Sequence, residues 1–236
     1  MNRLRIFILF WTISLFGIPL DAQQDSLHLE ANTVLTVKDS LELSERHRKA
    51  GIVFVGADLY SLALSGFSDR QGGAAFISYR VFNKWNMVAE VGYESNNYKD
   101  LDWLVDVNGI YFKLGFNWFI SQDHQDNSNG FYTGARISYS AYQQQIKQYP
   151  VRLSNNQVDE YGSLPAENVS AYWFEMVAGG RIKLISNLYA DVSVRPMIYM
   201  GSKKQENIEP LVIPAYGKDR GPINFTIVWG LSWKLF

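Results

Sequence analysis

The residue types that most often carry enzyme chemistry are scarce in this chain of 236 residues. It has no cysteine and three histidines, His28, His47 and His124. Without cysteine there is no thiolate chemistry, disulfide framework or Cys-based metal site. No Ser/His/Asp or zinc-ligand constellation is apparent around the histidines. The sequence therefore predicts a non-enzymatic protein with no cofactor.

One acidic segment has a composition that suits metal binding. Residues 98–109 (YKDLDWLVDVNG) bring Asp100, Asp102, Asp106 and Asn108 close together in the sequence. Carboxylate and amide oxygens are the ligands that Ca²⁺ prefers. The spacing does not match an EF-hand loop, so these residues are a calcium candidate whose alternative is an ordinary solvated acidic loop.

The overall composition indicates an apolar environment. Aromatic residues make up 15% of the chain and charged residues 19%, with a formal net charge of −1. This balance lacks the basic surface by which proteins attract nucleic acid, so a nucleic-acid partner is not expected.

The N-terminus has the pattern of a secretory signal peptide. Arg3 and Arg5 precede an apolar run over residues 6–20, and Ala22 suits a cleavage site. The alternative is a retained anchor, which is disfavoured because a spanning helix needs about 20 apolar residues. The predicted organisation is a signal peptide (1–22), a polar periplasmic arm (23–50) and a β-barrel (51–236).

From Gly51 onward, apolar and polar residues alternate with the period of two that indicates β-strands. The pattern is clearest in residues 223–236. Its apolar face comprises Ile223, Phe225, Ile227, Trp229, Leu231, Trp233 and Leu235. Similar segments lie near residues 51–61, 73–82, 85–94, 110–120, 130–142, 172–184 and 188–200.

These segments number eight, an even count as in single-chain bacterial barrels. The predicted fold class is all-β, an eight-stranded antiparallel up-and-down transmembrane β-barrel. The alternative is a soluble β-sandwich. It is disfavoured because several segments reach the roughly 9–11 residues that cross a bilayer, whereas sandwich strands are usually shorter.

The connections between the segments alternate in length, as expected for external loops and periplasmic turns. The predicted long external loops are 61–72, 95–108, 143–170 and 201–221, and the predicted periplasmic turns are 82–85, 121–129 and 185–187. Pro196 lies inside a predicted strand, where it removes a hydrogen-bond donor, so a bulge or local irregularity is expected there.

The polar faces carry charges of both signs. The predicted lumen network comprises Asp58, Arg80, Glu90, Lys113, Arg136, Glu175, Arg181, Asp191 and Arg195. An eight-stranded barrel has room for little beyond its own side chains, which favours a packed polar core over an open pore. On the long loops, Tyr149, Tyr161, Ile213 and Tyr216 are candidate contacts for a partner. The alternative is a self-packed lid over the barrel.

Four motifs carry a resemblance to a known family: GADLY (56–60), YFKLGFNW (111–118), YWFE (172–175) and IPAYG (213–217). With them the chain resembles a family of small outer-membrane β-barrels of unknown function from Gram-negative bacteria, of the OmpA-like or porin-like eight-stranded type. The resemblance implies the fold and location in the cell outer membrane, but no agreed activity. The end GLSWKLF (230–236) also resembles the signal read by the barrel-assembly machinery, with Phe236 one residue beyond its usual place.

The first functional hypothesis is a structural or interaction barrel whose external loops bind another envelope protein. One concrete form is an accessory subunit of an outer-membrane assembly or transport complex. The expected partners are outer-membrane lipid, the barrel-assembly machinery and an envelope protein. The alternatives are a narrow channel for small solutes or ions and, ranked last, a lipid-modifying enzyme.

Overall fold

The structure is a computed structural model that describes residues 51–59, 70–100, 102–151, 160–205, 208–218 and 223–235. The predicted signal peptide and arm lie outside these ranges. The strands are β1 (Val53–Asp58), β2 (Arg70–Phe82), β3 (Trp85–Asp100), β4 (Trp103–Phe119), β5 (Gly130–Val151), β6 (Glu160–Ile185), β7 (Leu188–Ser202), β8 (Val212–Ile213), β9 (Gly217–Lys218) and β10 (Ile223–Lys234). The described residues include no helix long and apolar enough to span a membrane.

In the described part of the chain, eight strands form one closed antiparallel ring. Its order is β1-β10-β7-β6-β5-β4-β3-β2, and β1 closes the ring by pairing with β10 from Phe54↔Lys234 to Asp58↔Gly230. The short hairpin β8–β9 is a separate two-stranded sheet. The predicted eight-stranded antiparallel barrel is confirmed. We call the end where β1 begins and β10 ends the base, and the opposite end the top.

The alternation of side chains gives the ring an apolar outer wall. On β10, Phe225 and Trp229 are 68% and 58% exposed, whereas Ser232 is 1% exposed. The same division recurs in every strand of the ring and leaves large apolar side chains such as Leu114 and Ile137 on the outside. Pairing of β1 with both β2 and β10 closes the sheet, as a sheet surrounded by lipid requires.

Two of the predicted loops are largely strand. β3 and β4 remain paired up to Asp100↔Trp103, so the segment 95–108 is mostly a hairpin instead of a loop. β5 and β6 likewise stay paired, with register shifts, up to Val151↔Glu160 within the predicted loop 143–170. The prediction made these four strands too short at the top of the barrel. The apolar alternation fades there, whereas backbone pairing continues.

Pro196 interrupts pairing without changing the register. Between β6 and β7, the pairs stop at Glu175↔Met197 and resume in the same register at Ala178↔Val194. On its other side Pro196 stays opposite Phe225 of β10. The expected irregularity is therefore a gap in the ladder, and the register shifts of β6 and β7 lie elsewhere, at Tyr172/Trp173 and Lys183/Ile185.

A close approach between neighbouring strands requires glycine at position 92. Gly92 of β3 lies opposite Tyr111 of β4, and the tyrosine is 4% exposed. A Cβ atom added to Gly92 would lie 2.3 Å from Cζ of Tyr111. The tyrosine ring can lie flat across β3 only because position 92 has no side chain.

We expect Gly92→Ala to lower the free energy of unfolding by about 1–3 kcal/mol, because the added methyl group must displace the packed ring. Gly180→Ala is the matched control, since a Cβ there meets nothing closer than 3.4 Å. Urea unfolding of the detergent-solubilised barrel, followed by tryptophan fluorescence, measures both. Equal stability of the two variants would contradict this account.

Candidate functional site

The lumen contains a network of buried charges at mid-height. Glu90 Oε2 lies 2.8 Å from Arg136 Nη1 and 3.0 Å from Arg195 Nη1, and its Oε1 lies 3.6 Å from Lys113 Nζ. Lys113 Nζ also lies 2.8 Å from Oε1 of Glu175. All five side chains are at most 5% exposed. We call these five residues the charge network.

Strand register brings the opposite charges of this network together. Glu90 of β3 is directly opposite Lys113 of β4, and Arg136 of β5 is directly opposite Glu175 of β6. Side chains at opposite positions share a face, so oppositely charged residues there attract each other. Arg195 reaches the network from β7, across the lumen.

The other four predicted lumen charges are also buried and lie outside this network. Arg181 Nε donates to Oδ1 of Asp191 at 2.8 Å, and Ser232 Oγ donates to Oδ2 of the same carboxylate at 2.8 Å. Arg80 is fully buried and Asp58 is 6% exposed. Thus five of the nine residues meet in one network, and Arg181 with Asp191 forms a second pair.

The base of the lumen is capped by the predicted turn 121–129. Ser128 of this turn is 1% exposed. Arg80 Nη2 donates to the carbonyl oxygen of Asn127 at 3.1 Å, and the Tyr189 hydroxyl donates to Oδ2 of Asp126 at 2.6 Å. The turn is therefore folded against the inner residues of β2 and β7. The features of the sequence that could have indicated a cap are the turn's length of nine residues and its Asp, Asn and Ser content. This role was not predicted.

The local environment holds the pKa of Asp126 below its usual value. Burial alone raises the pKa of this carboxyl group. The hydrogen bonds from Tyr189 and from the backbone and side chain of Ser128, together with the charge of Lys234, outweigh burial because they favour the charged form. The base cap thus depends on an ionised Asp126.

An apolar layer fills the top of the lumen. Val212, Ile213 and Tyr216, from the β8–β9 hairpin, are at most 2% exposed. The Tyr216 ring packs edge-on against Trp173 of β6, with ring centroids 5.7 Å apart. For Ile213 and Tyr216 the structure shows the alternative arrangement, a self-packed lid, because the hairpin folds onto the inner faces of the strands.

Polar contacts hold the β8–β9 hairpin against β3 and β10. Glu94 Oε2 accepts a hydrogen bond from the backbone nitrogen of Ala215 at 2.8 Å and lies 2.7 Å from Arg70 Nη2. Ala215 has a φ of 65°, an uncommon conformation for a residue with a side chain. On the other side, Asn224 Nδ2 donates to the carbonyl oxygen of Tyr216 at 2.8 Å. Neither contact was predicted from the sequence; the first joins residues 121 positions apart and the second joins residues eight positions apart.

The other two partner candidates lie on the strand extensions above this layer. Tyr149 is half-buried and stacks on Trp103, with centroids 6.0 Å apart. Tyr161 is 51% exposed, and its hydroxyl donates to Oδ1 of Asp102 at 3.2 Å. Only Tyr161 of the four partner candidates presents much of its side chain outward. Partner binding itself stays a prediction.

The calcium candidates are not brought together as a ligand set. Asp100 lies on the inward face of the β3–β4 hairpin, opposite Trp103, whereas Asp106 and Asn108 lie on its outward face. Asp106 forms an ion pair with Lys147. Within the described ranges, no group of three His, Cys, Asp or Glu side chains could hold a metal ion.

These contacts make the lumen a packed interior with three levels. A polar turn covers the base, ion pairs occupy the middle, and an apolar hairpin covers the top. His124 is the one histidine in the described part of the chain, and it is exposed on the turn. The arrangement is suited to rigidity.

We expect Glu90→Gln to destabilise the barrel by about 3–5 kcal/mol, because three buried cations lose their shared carboxylate. Glu209→Gln is the matched control, since Glu209 pairs with Lys204 where both side chains are more than half exposed. The control should change stability by less than about 1 kcal/mol. Urea unfolding in one detergent measures both, and a small effect at Glu90 would show that the network contributes little.

The low pKa of Asp126 predicts a pH-dependent contribution from Tyr189. Stabilisation by a carboxylate with a depressed pKa is complete above its unfolded-state pKa and is lost as the pH falls through its folded-state pKa. Tyr189→Phe should therefore cost about 1 kcal/mol at pH 7. This difference from the unmodified protein should shrink as the pH falls below about 4.

Tyr199→Phe is the control for this measurement, because the Tyr199 hydroxyl donates to the neutral hydroxyl of Ser202. Chemical unfolding in a nonionic detergent between pH 3 and pH 8 compares the two. A Tyr189 effect that stays constant over this range would contradict the role given to Asp126.

Comparison with known proteins places the chain in a family. No curated protein matches its sequence. Its structure is similar to that of Ail, the attachment invasion locus protein of Yersinia pestis, at 10% identity and a TM-score of 0.37, covering 78% of this chain and 96% of Ail. It is also similar to the N-terminal β-barrel domain of Pseudomonas aeruginosa OprF, at 12% identity and a TM-score of 0.31, covering 79% and 98%.

A family model described as a domain of unknown function, DUF6048, matches residues 3–235, which is nearly the whole chain. The chain belongs to the DUF6048 family.

Proposed function

We propose that this protein is a non-enzymatic outer-membrane barrel, sealed along its axis, that acts by binding another envelope protein at its top. The observation that carries this proposal is the combination of a filled lumen with strand extensions that rise beyond the ring. A filled lumen leaves the outer surfaces as the places where function can reside.

The outer wall supports the membrane location. Its side chains are apolar around the whole ring, and they are substantially exposed on every strand. Water would solvate such a surface poorly, whereas lipid chains suit it. The predicted signal peptide adds an export route, and a strand barrel exported in this way belongs in the outer membrane. Outer-membrane lipid and the barrel-assembly machinery are the partners that this location entails.

The strand extensions support the interaction role. β5 has 22 residues and β6 has 26, about twice the number needed to cross a bilayer. The excess lies at the top, where Trp103 stacks on Tyr149 and Lys147 pairs with Asp106. A paired sheet held by such contacts is a preorganised surface, which reduces the entropy lost on binding.

The runner-up, a narrow channel, has less support. Glu90 and Glu175 form ion pairs with basic side chains across the middle of the lumen, and the β8–β9 hairpin lies above these pairs. A conducting path needs an open and hydrated lumen, whereas these contacts fill it. An accessory subunit of an assembly or transport complex fits a sealed barrel better.

The test is site-specific photo-crosslinking in intact cells. A photoreactive phenylalanine derivative at position 161, on the top extension, is expected to give one discrete adduct of higher mass. The same derivative at position 229, which is exposed on the lipid wall, is the matched control and should give none.

Purified protein in planar bilayers supplies the second measurement, and steady single-channel conductance would overturn the sealed-barrel proposal. Absence of an adduct at position 161, together with migration of the solubilised protein as a lone monomer, would overturn the interaction role.

A further inference from the structure

The outer face of β3 to β6 changes from apolar to polar above the lipid wall. The upper part of the wall carries Tyr93, Tyr139 and Tyr172, each nearly half exposed. Tyrosine is typical of the boundary between membrane and water. Two residues beyond Tyr93, which is about 7 Å further along the strand, a polar row crosses all four strands. It comprises Ser95, Asn108, Gln143 and Asn168, which lie directly opposite one another.

A second polar row lies two residues beyond the first. It comprises Asn97, Asp106 and Gln145, at opposite positions of β3, β4 and β5. Five of the seven residues in the two rows are amides, and all five amides are exposed. We call the two rows the amide rows. Because an amide group both donates and accepts hydrogen bonds, the amide rows suit a ligand whose groups also do both.

A pocket of about 270 Å³ adjoins the amide rows. Its lining comprises Asn97, Tyr98, Lys99, Leu104, Asp106 and Lys147. The volume lies just below the usual range for small-molecule pockets, so it suits one or two small rings. Asp106 only accepts hydrogen bonds and its ion-pair partner Lys147 only donates them. Hydroxyl groups can bridge such a pair, and Leu104 offers apolar surface to the C–H face of a ring.

The charges at the pocket do not favour a simple anion. Asp106 places a carboxylate in the pocket wall, where it would repel an anion. Its attraction to Lys147 already engages that positive charge. Lys99 is exposed, so water and salt screen its charge. Hydrogen bonding therefore contributes more than charge to what this surface can bind.

We propose that the amide rows and the adjoining pocket bind the uncharged sugar headgroup of a membrane glycolipid. Hydroxyl groups of the sugar exchange hydrogen bonds with the amides, and one ring enters the pocket against Leu104. The acyl chains lie on the apolar wall below. The rows continue directly from that wall, so a lipid whose chains cover the wall places its headgroup at this level. The inference rests on the proposed membrane location and goes beyond the proposed partner binding.

The first test is native mass spectrometry of the unmodified protein in a neutral detergent. The probes are digalactosyl diacylglycerol, phosphatidylcholine and phosphatidylglycerol with the same acyl chains. The digalactosyl lipid should bind at least about fivefold more tightly than the other two, because only its sugar exchanges hydrogen bonds with the amides. Equal binding of the three lipids would overturn the proposal, and so would a preference for phosphatidylglycerol, which would indicate an anion site.

The second test uses variants at exposed positions, which should leave the fold intact. Gln143→Met keeps the length of the side chain but removes its amide, and it should weaken binding of the digalactosyl lipid at least about threefold. Asn97→Leu, at the pocket, should have the same effect. Gln125→Met is the matched control, because Gln125 is exposed on the turn at the base, at the other end of the barrel. Equal effects of Gln143→Met and Gln125→Met would contradict the site.

Photo-crosslinking at position 161 distinguishes this inference from the proposed partner role. Gln143→Met should leave the adduct at position 161 unchanged. If it abolished the adduct, the amide rows would belong to the protein interface and the glycolipid assignment would be wrong. If the unmodified protein bound the digalactosyl lipid but gave no adduct, the partner role would fail and the glycolipid site would stand.

Discussion

Closure of the sheet by the pairing of β1 with β10 is the constraint on which the rest of the structure depends. Among the described residues, five pairs form this seam, from Phe54↔Lys234 to Asp58↔Gly230. Once the ring is closed, every second side chain must point into a narrow lumen. Polar residues that an open sheet would leave in water then become buried, and they must find partners inside.

The lumen meets this demand differently at each level. At mid-height, the carboxylate of Glu90 forms ion pairs with three basic side chains, because no single pair could satisfy so many buried charges. At the base, the turn containing Asp126 supplies carbonyl and carboxylate acceptors to Arg80 and Tyr189. At the top, burial of apolar groups replaces ion pairing altogether. Buried ion pairs contribute modestly to net stability, because the loss of hydration offsets their attraction.

The wall and the inward charges could be predicted from the sequence, because the side-chain period of a strand is two wherever one face meets lipid. The ends of β3 to β6 could not, since lipid no longer imposes an apolar face there. The burial of Ile213 and Tyr216 could be given only as an alternative to exposure towards a partner. It depends on contacts such as that of Glu94 with Ala215, which join residues 121 positions apart and leave no local pattern. The base cap escaped prediction for the same reason.

The β8–β9 hairpin lies in the chain between β7 and β10, the strand that closes the ring. Its fastening to Glu94 joins it to a strand formed from much earlier sequence, and such distant contacts cost the most chain entropy and form late in folding. The hairpin, like the seam between β1 and β10, thus joins late sequence to early sequence. We expect its insertion and the closing of the ring to be a single kinetic event, so that the chain passes from an open sheet to a filled barrel without an empty, water-filled intermediate.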